Sequence, residues 1–255
     1  MPKSGSEAVT LARGEGWATA LVADDRSLYF NRRQCLAGTC AISRANSYTM
    51  RVPKSGGTPE LFHQGGWGGL DIDSAHIYIG VISREYSLVR IDKVTRVLGN
   101  FHDGFLPESI ALLGQSLVWT ANFSPSTPTF LFRTPLPGAS DGSKPASVAL
   151  NDPEVGPVAV DGQHVFVRTK HSIFRADLPA KQATLVTTVR NAPVAALAAG
   201  GGTLYWNDHA SLNAVSENGT NPRSLDTTGK VYGQITLDAQ SIYFLRDGQV
   251  FRLQR

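Results

Sequence analysis

The sequence predicts an all-β fold made of repeated antiparallel sheets, and three observations carry that prediction. Apolar residues alternate with polar ones at period two along most of the chain, with β-branched and aromatic residues enriched, which is the pattern of half-buried strands. The 25 Gly and 14 Pro among 255 residues are spread along the whole chain, so turns are frequent and elements short. One pattern also recurs: an alternating apolar segment, a polar turn often opened by Asp, then a second apolar segment carrying an aromatic. It reads "LVADDRSLYF", "LDIDSAHIYI", "IALLGQSLVW", "VAVDGQHVFV", "ALAAGGGTLYW" and "ITLDAQSIYF". Its penultimate residues are Tyr29, Tyr78, Val118, Phe166, Tyr205 and Tyr243, separated by 49, 40, 48, 39 and 38 positions. Repeats of roughly 40–50 residues are the size of a propeller blade. Six such units of four antiparallel strands, closed into a ring, make a six-bladed β-propeller, and residues 1–255 read as one such domain.

The elements follow in chain order. Residues 6–13 contain the alternating "EAVTLAR" and belong to no repeat. Blades are expected to start near residues 17, 67, 107, 155, 193 and 232. In each, the recurring strand pair, A and B, is followed by a third strand, C: "YTMRV", "YSLVRI", "TFLFRT", "SIFRAD", "SLNAVS" and "QVFRLQ". Five of these lead through a turn into a fourth strand, D, such as "TPELFH", "RVLGNF" or "ATLVTTV". The sixth repeat has no fourth strand of its own, and an unpaired sheet edge is an aggregation liability. Residues 7–13 are therefore expected to pair with residues 249–253 as the outermost strand of the sixth blade.

Asp24, Asp73, Asp161 and Asp238 sit where strand A turns into strand B, while Leu113 and Gly200 hold that place in the third and fifth repeats. An Asp there accepts hydrogen bonds from turn amides, and its regular recurrence argues for a structural role over a catalytic one. His76 and His164 fall in the same turns and are expected to be exposed. "GGWGG" at residues 65–69 leads into a strand, so it has no helix N-terminus to complement an anion and reads as a tight crossing between blades. "NGT" at residues 218–220 reads as a hairpin turn.

Cys35 and Cys40, in "CLAGTC", flank a Gly-containing turn and can approach across it as a disulfide; the other reading is two reduced thiols in a loop. The disulfide would imply a secreted or periplasmic compartment, the thiols a cytoplasmic one. The segment "MPKSGSEAVT" shows no apolar core of a signal peptide. The formal net charge is +3, and Lys and Arg are scattered, which argues against a nucleic-acid surface. No run approaches the ~18–20 apolar residues of a membrane span. A monomer is expected.

The strands "LYW" and "IYF", paired with "SLNAVSENGTNPRSL" and "SIFRADL", resemble the YWTD-type six-bladed propeller repeat. "RVPKSGGTPELF" at residues 51–62 and "LYWND" at residues 204–208 are similar to the repeats of bacterial secreted and lipoprotein propellers. The resemblance covers residues 6–255, and its motifs specify blades. It implies either partner binding, as in the receptor propellers, or hydrolase or lyase activity, as in other six-bladed families; fold alone does not choose between them.

In a propeller the D-to-A and B-to-C loops share one face around the central channel. That alignment gathers the aromatic residues Trp17, Trp67 and Tyr232 with the polar residues Asn31, Arg33, Asn122 and Asn207. Broad rings with a few orienting polar groups suit a ligand pocket, although large aromatics at these places also pack between blades. Glu108 is the one carboxylate just before a strand A, and with His171 and His209 it is a weak candidate for acid–base catalysis; the competing reading is a solvated loop. No two His or Cys have ligand spacing, so no metal and no cofactor are expected. No nucleophile elbow, phosphate loop or calcium loop is present. The expected function is binding of a small molecule, glycan or protein segment at the channel mouth. The alternative is a lyase, hydrolase or cyclase working from the same face.

Overall fold

The computed structural model describes residues 9–13, 17–33, 47–82, 86–103, 107–121, 129–136, 146–150, 155–189, 196–208, 211–227, 231–246 and 249–255. Among these, every regular element is a strand. The first strand, β1 (Val9–Arg13), stands before the blades. Blade 1 holds β2 (Trp17–Ala23), β3 (Ser27–Arg33), β4 (Ser47–Pro53) and β5 (Glu60–Gln64). Blade 2 holds β6 (Gly66–Ile72), β7 (His76–Ile82), β8 (Tyr86–Asp92) and β9 (Leu98–Asp103). Blade 3 holds β10 (Pro107–Leu113), β11 (Ser116–Ala121), β12 (Thr129–Pro135) and β13 (Ala146–Leu150). Blade 4 holds β14 (Val155–Asp161), β15 (His164–Thr169), β16 (Ser172–Asp177) and β17 (Gln182–Thr188). Blade 5 holds β18 (Leu197–Gly200), β19 (Thr203–Asn207), β20 (Leu212–Ser216) and β21 (Arg223–Asp226). Blade 6 holds β22 (Val231–Leu237), β23 (Ser241–Arg246) and β24 (Gln249–Gln254), with β1 as its fourth strand. The chain is thus a six-bladed β-propeller.

The closing strand pairs antiparallel with β24, Thr10 opposite Phe251 and Arg13 opposite Gln249. Leu11 and Ala12 are buried against Leu245 and Val250 of blade 6 and against Leu21 and Phe30 of blade 1. The first strand therefore does two jobs: it removes the free edge and it fills the seam between the last and first blades. The inner strands β2, β6, β10, β14, β18 and β22 pack each on the next in that order, with β22 returning to β2. The core lies between blade faces. Tyr29 of blade 1 packs with Leu70, Ile77 and Ile79 of blade 2, and Phe166 of blade 4 with Leu197 and Trp206 of blade 5. Burying such side chains contributes roughly 1.5–3 kcal/mol each.

The turn carboxylates behave largely as the repeat implies. Asp24, Asp73 and Asp238 each accept two amides of their own turn, at 2.6–3.0 Å. The strand B tyrosine completes the set: Tyr78 donates its hydroxyl to Asp73 at 2.8 Å and Tyr243 to Asp238 at 2.9 Å. Blade 4 departs from expectation. Its strand B carries Phe166, which has no hydroxyl, and Asp161 instead accepts the Gly202 amide of blade 5 at 2.9 Å. His76 also departs: it is half-buried, its Nδ1 3.3 Å from Asp73 Oδ2, whereas His164 is exposed. Lysines from the next blade's C-to-D turn reach two of these carboxylates, Lys93 to Asp24 at 3.2 Å and Lys54 to Asp238 at 2.8 Å. The 218–220 segment is a turn, with Gly219 at φ +85° and Thr220 N donating to Asn218 Oδ1 at 3.1 Å.

Candidate functional site at the channel mouth

Five of the six inner strands lose regular pairing at the end where they begin. The register shifts between Ala18 and Ala20, Trp67 and Leu70, Pro107 and Ser109, Val155 and Val158, and Val231 and Ile235. Extra residues bend an edge strand and re-aim side chains, and such bulges gather beside functional sites. Here they encircle the face shared by the D-to-A and B-to-C connections.

The bulge residues include Gly68 and Glu108, which the structure brings together. Gly68 has φ +68°, and a Cβ on it would lie 3.8 Å from the Glu108 Cα and only 2.2 Å from the Pro107 carbonyl oxygen. Only glycine fits there, so "GGWGG", where the chain passes from blade 1 to blade 2, is also where blade 2 approaches blade 3. Asn31 joins from blade 1: its Nδ2 donates to the Gly68 carbonyl at 3.2 Å, and its Oδ1 accepts from Thr49 Oγ1 at 2.8 Å. Asn31 is 1% exposed, so its amide works on the bulge from within the protein. Thr120 repeats the device two seams further on, between blades 3 and 4, donating to the Gly156 carbonyl at 3.0 Å.

Glu108 is solvent-exposed on β10, and among the described residues it has no hydrogen-bond or ion-pair partner. Burial pushes its carboxyl up from the ordinary value: the head group touches water, but the converging inner strands deprive it of full hydration. Four residues along the same strand, the Leu112 amide donates to Asp71 Oδ2 at 2.6 Å, and Ile72 N donates to Asp71 Oδ1 at 2.8 Å. Burial pushes Asp71 up to about 6 despite these two donors, with Asp73 adding repulsion. The seam between blades 2 and 3 thus carries two carboxyls that hold protons more readily than free ones. Perturbed acids in a cleft are candidates for function.

Of the other sequence-predicted residues, Trp17 lies opposite Arg33 in the β2–β3 register, and Trp67 and Tyr232 lie in β6 and β22 at the register shifts. The side chains of Trp17, Trp67 and Tyr232 lie outside the described residues, as do Asn122, His209, Cys35 and Cys40. Asn207 is fully buried at the end of β19. His171 is exposed in the turn between β15 and β16. Among the described residues no three His, Cys, Asp or Glu side chains gather closely enough to hold a metal ion. The sequence reading passes over Asp71 and Arg168. Aligning the repeats by column could have found both: Asp71 stands opposite the blade aromatic where Val22, Ala111, Ala159, Ala198 and Thr236 stand elsewhere. Arg168 occupies the column of Asn31, Thr120 and Asn207.

No family model matches the sequence, and no curated protein matches it. Solved structures do resemble it. XC5397 from Xanthomonas campestris, described as a gluconolactonase, superposes with a TM-score of 0.74 at 13% identity, over 97% of this chain and 89% of that one. The calcium-binding protein regucalcin from Agrobacterium tumefaciens gives a TM-score of 0.71 at 11% identity, over 96% and 92%. The nidogen/laminin complex gives 0.61 at 13% identity, over 87% and 85%. At such identities the likeness establishes the fold.

Proposed function

We propose that the channel mouth binds a small hydroxyl-bearing molecule and that Glu108 is the residue that contacts it. One observation carries this reading: among the described residues Glu108 is a carboxylate without a hydrogen-bond or ion-pair partner, on the inner-strand bulge where three blades meet. A carboxyl in that position accepts hydrogen bonds from ligand hydroxyls when ionised and donates one when protonated. Trp67, the residue before Gly68 in the sequence, belongs to the same proposal as an aromatic contact for the ligand. Kinship with the YWTD-type or bacterial lipoprotein repeats belongs to the same proposal and has the six-bladed architecture as its support.

The catalytic alternative has its own support. The raised proton affinity of Glu108 suits a general acid or base, and one of the similar folds is described as a gluconolactonase. The test uses glucono-δ-lactone and D-gluconate as probes, with binding followed by calorimetry and lactone opening by acid release. Glu108→Gln should weaken binding at least about tenfold, the worth of one charged hydrogen bond. Retained affinity with turnover lost would assign Glu108 to catalysis instead. Wild-type protein and Glu108→Gln behaving alike towards both probes would sink the assignment of Glu108.

A further inference from the structure

In blades 1, 3 and 4 the strand B position two residues past the penultimate residue of the repeat ties the seam to the next blade. Asn31 and Thr120 do this with a single hydrogen bond to a bulge carbonyl. Blade 4 has Arg168 there. Its Nη1 donates to the Asn207 carbonyl at 2.6 Å and to the Ala196 carbonyl at 3.4 Å, both in blade 5. One nitrogen therefore performs the structural task, and a whole guanidinium is more than that task requires.

The remainder of the guanidinium is the informative part. Arg168 is 0% exposed, and among the described residues its Nε and Nη2 have no hydrogen-bond partner. Those two N–H groups lie on one edge of the planar group and point the same way, forming the fork that accepts two oxygens of a carboxylate or phosphate. The carboxylate of Asp208 lies near enough to favour the charged form but does not reach the fork. Its Oδ1 accepts from Ser211 N at 2.9 Å and from Ser211 Oγ at 2.8 Å. Burial lowers the Arg168 pKa to about 10, so the group is still cationic at neutral pH. A buried cation with unmade charge-assisted hydrogen bonds calls for an ion that completes them.

We infer that the Nε/Nη2 edge of Arg168 is an oxyanion site, filled by a carboxylate or phosphate group enclosed in the seam between blades 4 and 5. Because the fork is closed off from solvent, the anion enters as the seam opens and is held inside it. Two sources share this chemistry, a free inorganic ion and the acidic group of a larger ligand.

The test is the thermal unfolding midpoint of the full chain, refolded from denaturant separately into phosphate, acetate or chloride at matched ionic strength and pH 7.5. Refolding prevents an ion already held from masking the effect. Phosphate or acetate should raise the midpoint above chloride, by about 3–5 °C for each tenfold rise beyond the dissociation constant. A response to phosphate alone points to an inorganic or phosphorylated source, and a response to acetate to a carboxylate. Arg168→Thr, which installs the side chain blade 3 uses in this column, should keep the strap and lose the preference. Arg168→Lys, with charge but no fork, should lose it as well and serves if the threonine variant fails to fold. Glu108→Gln should retain it, since the two sites lie on different seams. Equal wild-type midpoints in the three salts, or an undiminished preference in both Arg168 variants, would overturn the inference.

Discussion

Tyr78 and Tyr243 donate their hydroxyls to Asp73 and Asp238, whereas Phe166 has none to give and Asp161 turns to the next blade. The same logic explains the third repeat, where Leu113 replaces the Asp and Val118 the Tyr together: neither polar group is left without its partner. In the fifth, Gly200 holds the Asp position, and the Tyr205 hydroxyl accepts instead from Nε of Arg255 at 3.3 Å. Asp238 has the fullest set. Burial opposes its charge, but Lys54, the Gln240 and Ser241 amides and Tyr243 outweigh it and hold the carboxyl at about 2. A folded pKa below the ordinary 3.8 means stability that is fully present above about pH 4 and lost as pH falls through about 2. Asp238→Asn should therefore cost on the order of 2 kcal/mol at pH 7. Urea unfolding as a function of pH should show the wild-type loss between pH 4 and 2 flattened in this variant. That these aspartates are structural was legible from their recurrence. Which partner each one takes was not, because the partners include other blades.

Gly68 shows what an inner strand demands as an element. A side chain at φ +68° is strained in any surroundings, and this one would also meet the Pro107 carbonyl of the neighbouring blade. Gly114 has a similar φ of +55° with nothing within 4 Å of its Cβ position, which separates the two effects. Gly114→Ala should cost about 1–2 kcal/mol from backbone conformation alone. Gly68→Ala should cost roughly 2 kcal/mol or more beyond that, the signature of blades forced apart; denaturant unfolding of the pair measures the difference. Equal costs would mean that the inner strands do not approach as closely as the geometry states. Strand identity and order could be read from alternation and repeat length, and "GGWGG" announced a crossing. The bulges at Trp67/Leu70 and Pro107/Ser109 could not be read, since a register shift leaves the alternating pattern almost intact. That shift leaves Glu108, within β10, outside the paired register between Pro107 and Ser109.

At the scale of the whole molecule the ring is closed by pairing between residues 9–13 and 249–252. Removing residues 1–13 would take Leu11 and Ala12 out of the seam between blades 6 and 1 and strip the outer edge of β24. The expected result is a loss exceeding about 3 kcal/mol, from one buried leucine and a row of ladder hydrogen bonds, together with self-association through the bared edge. Thermal unfolding and size-exclusion chromatography check both parts; an unchanged midpoint with a monomeric profile would show that the clasp is dispensable. By itself the sequence determined the strands, their grouping into six repeats, and the partner of the final hairpin, because these depend on periodicity along the chain. Only the tertiary structure decided that Asp71, Glu108 and Arg168 are set apart from the equivalent positions in other blades. Hydration, close approach and missing partners arise between blades, from residues roughly 40 or more positions apart, and no local pattern records them.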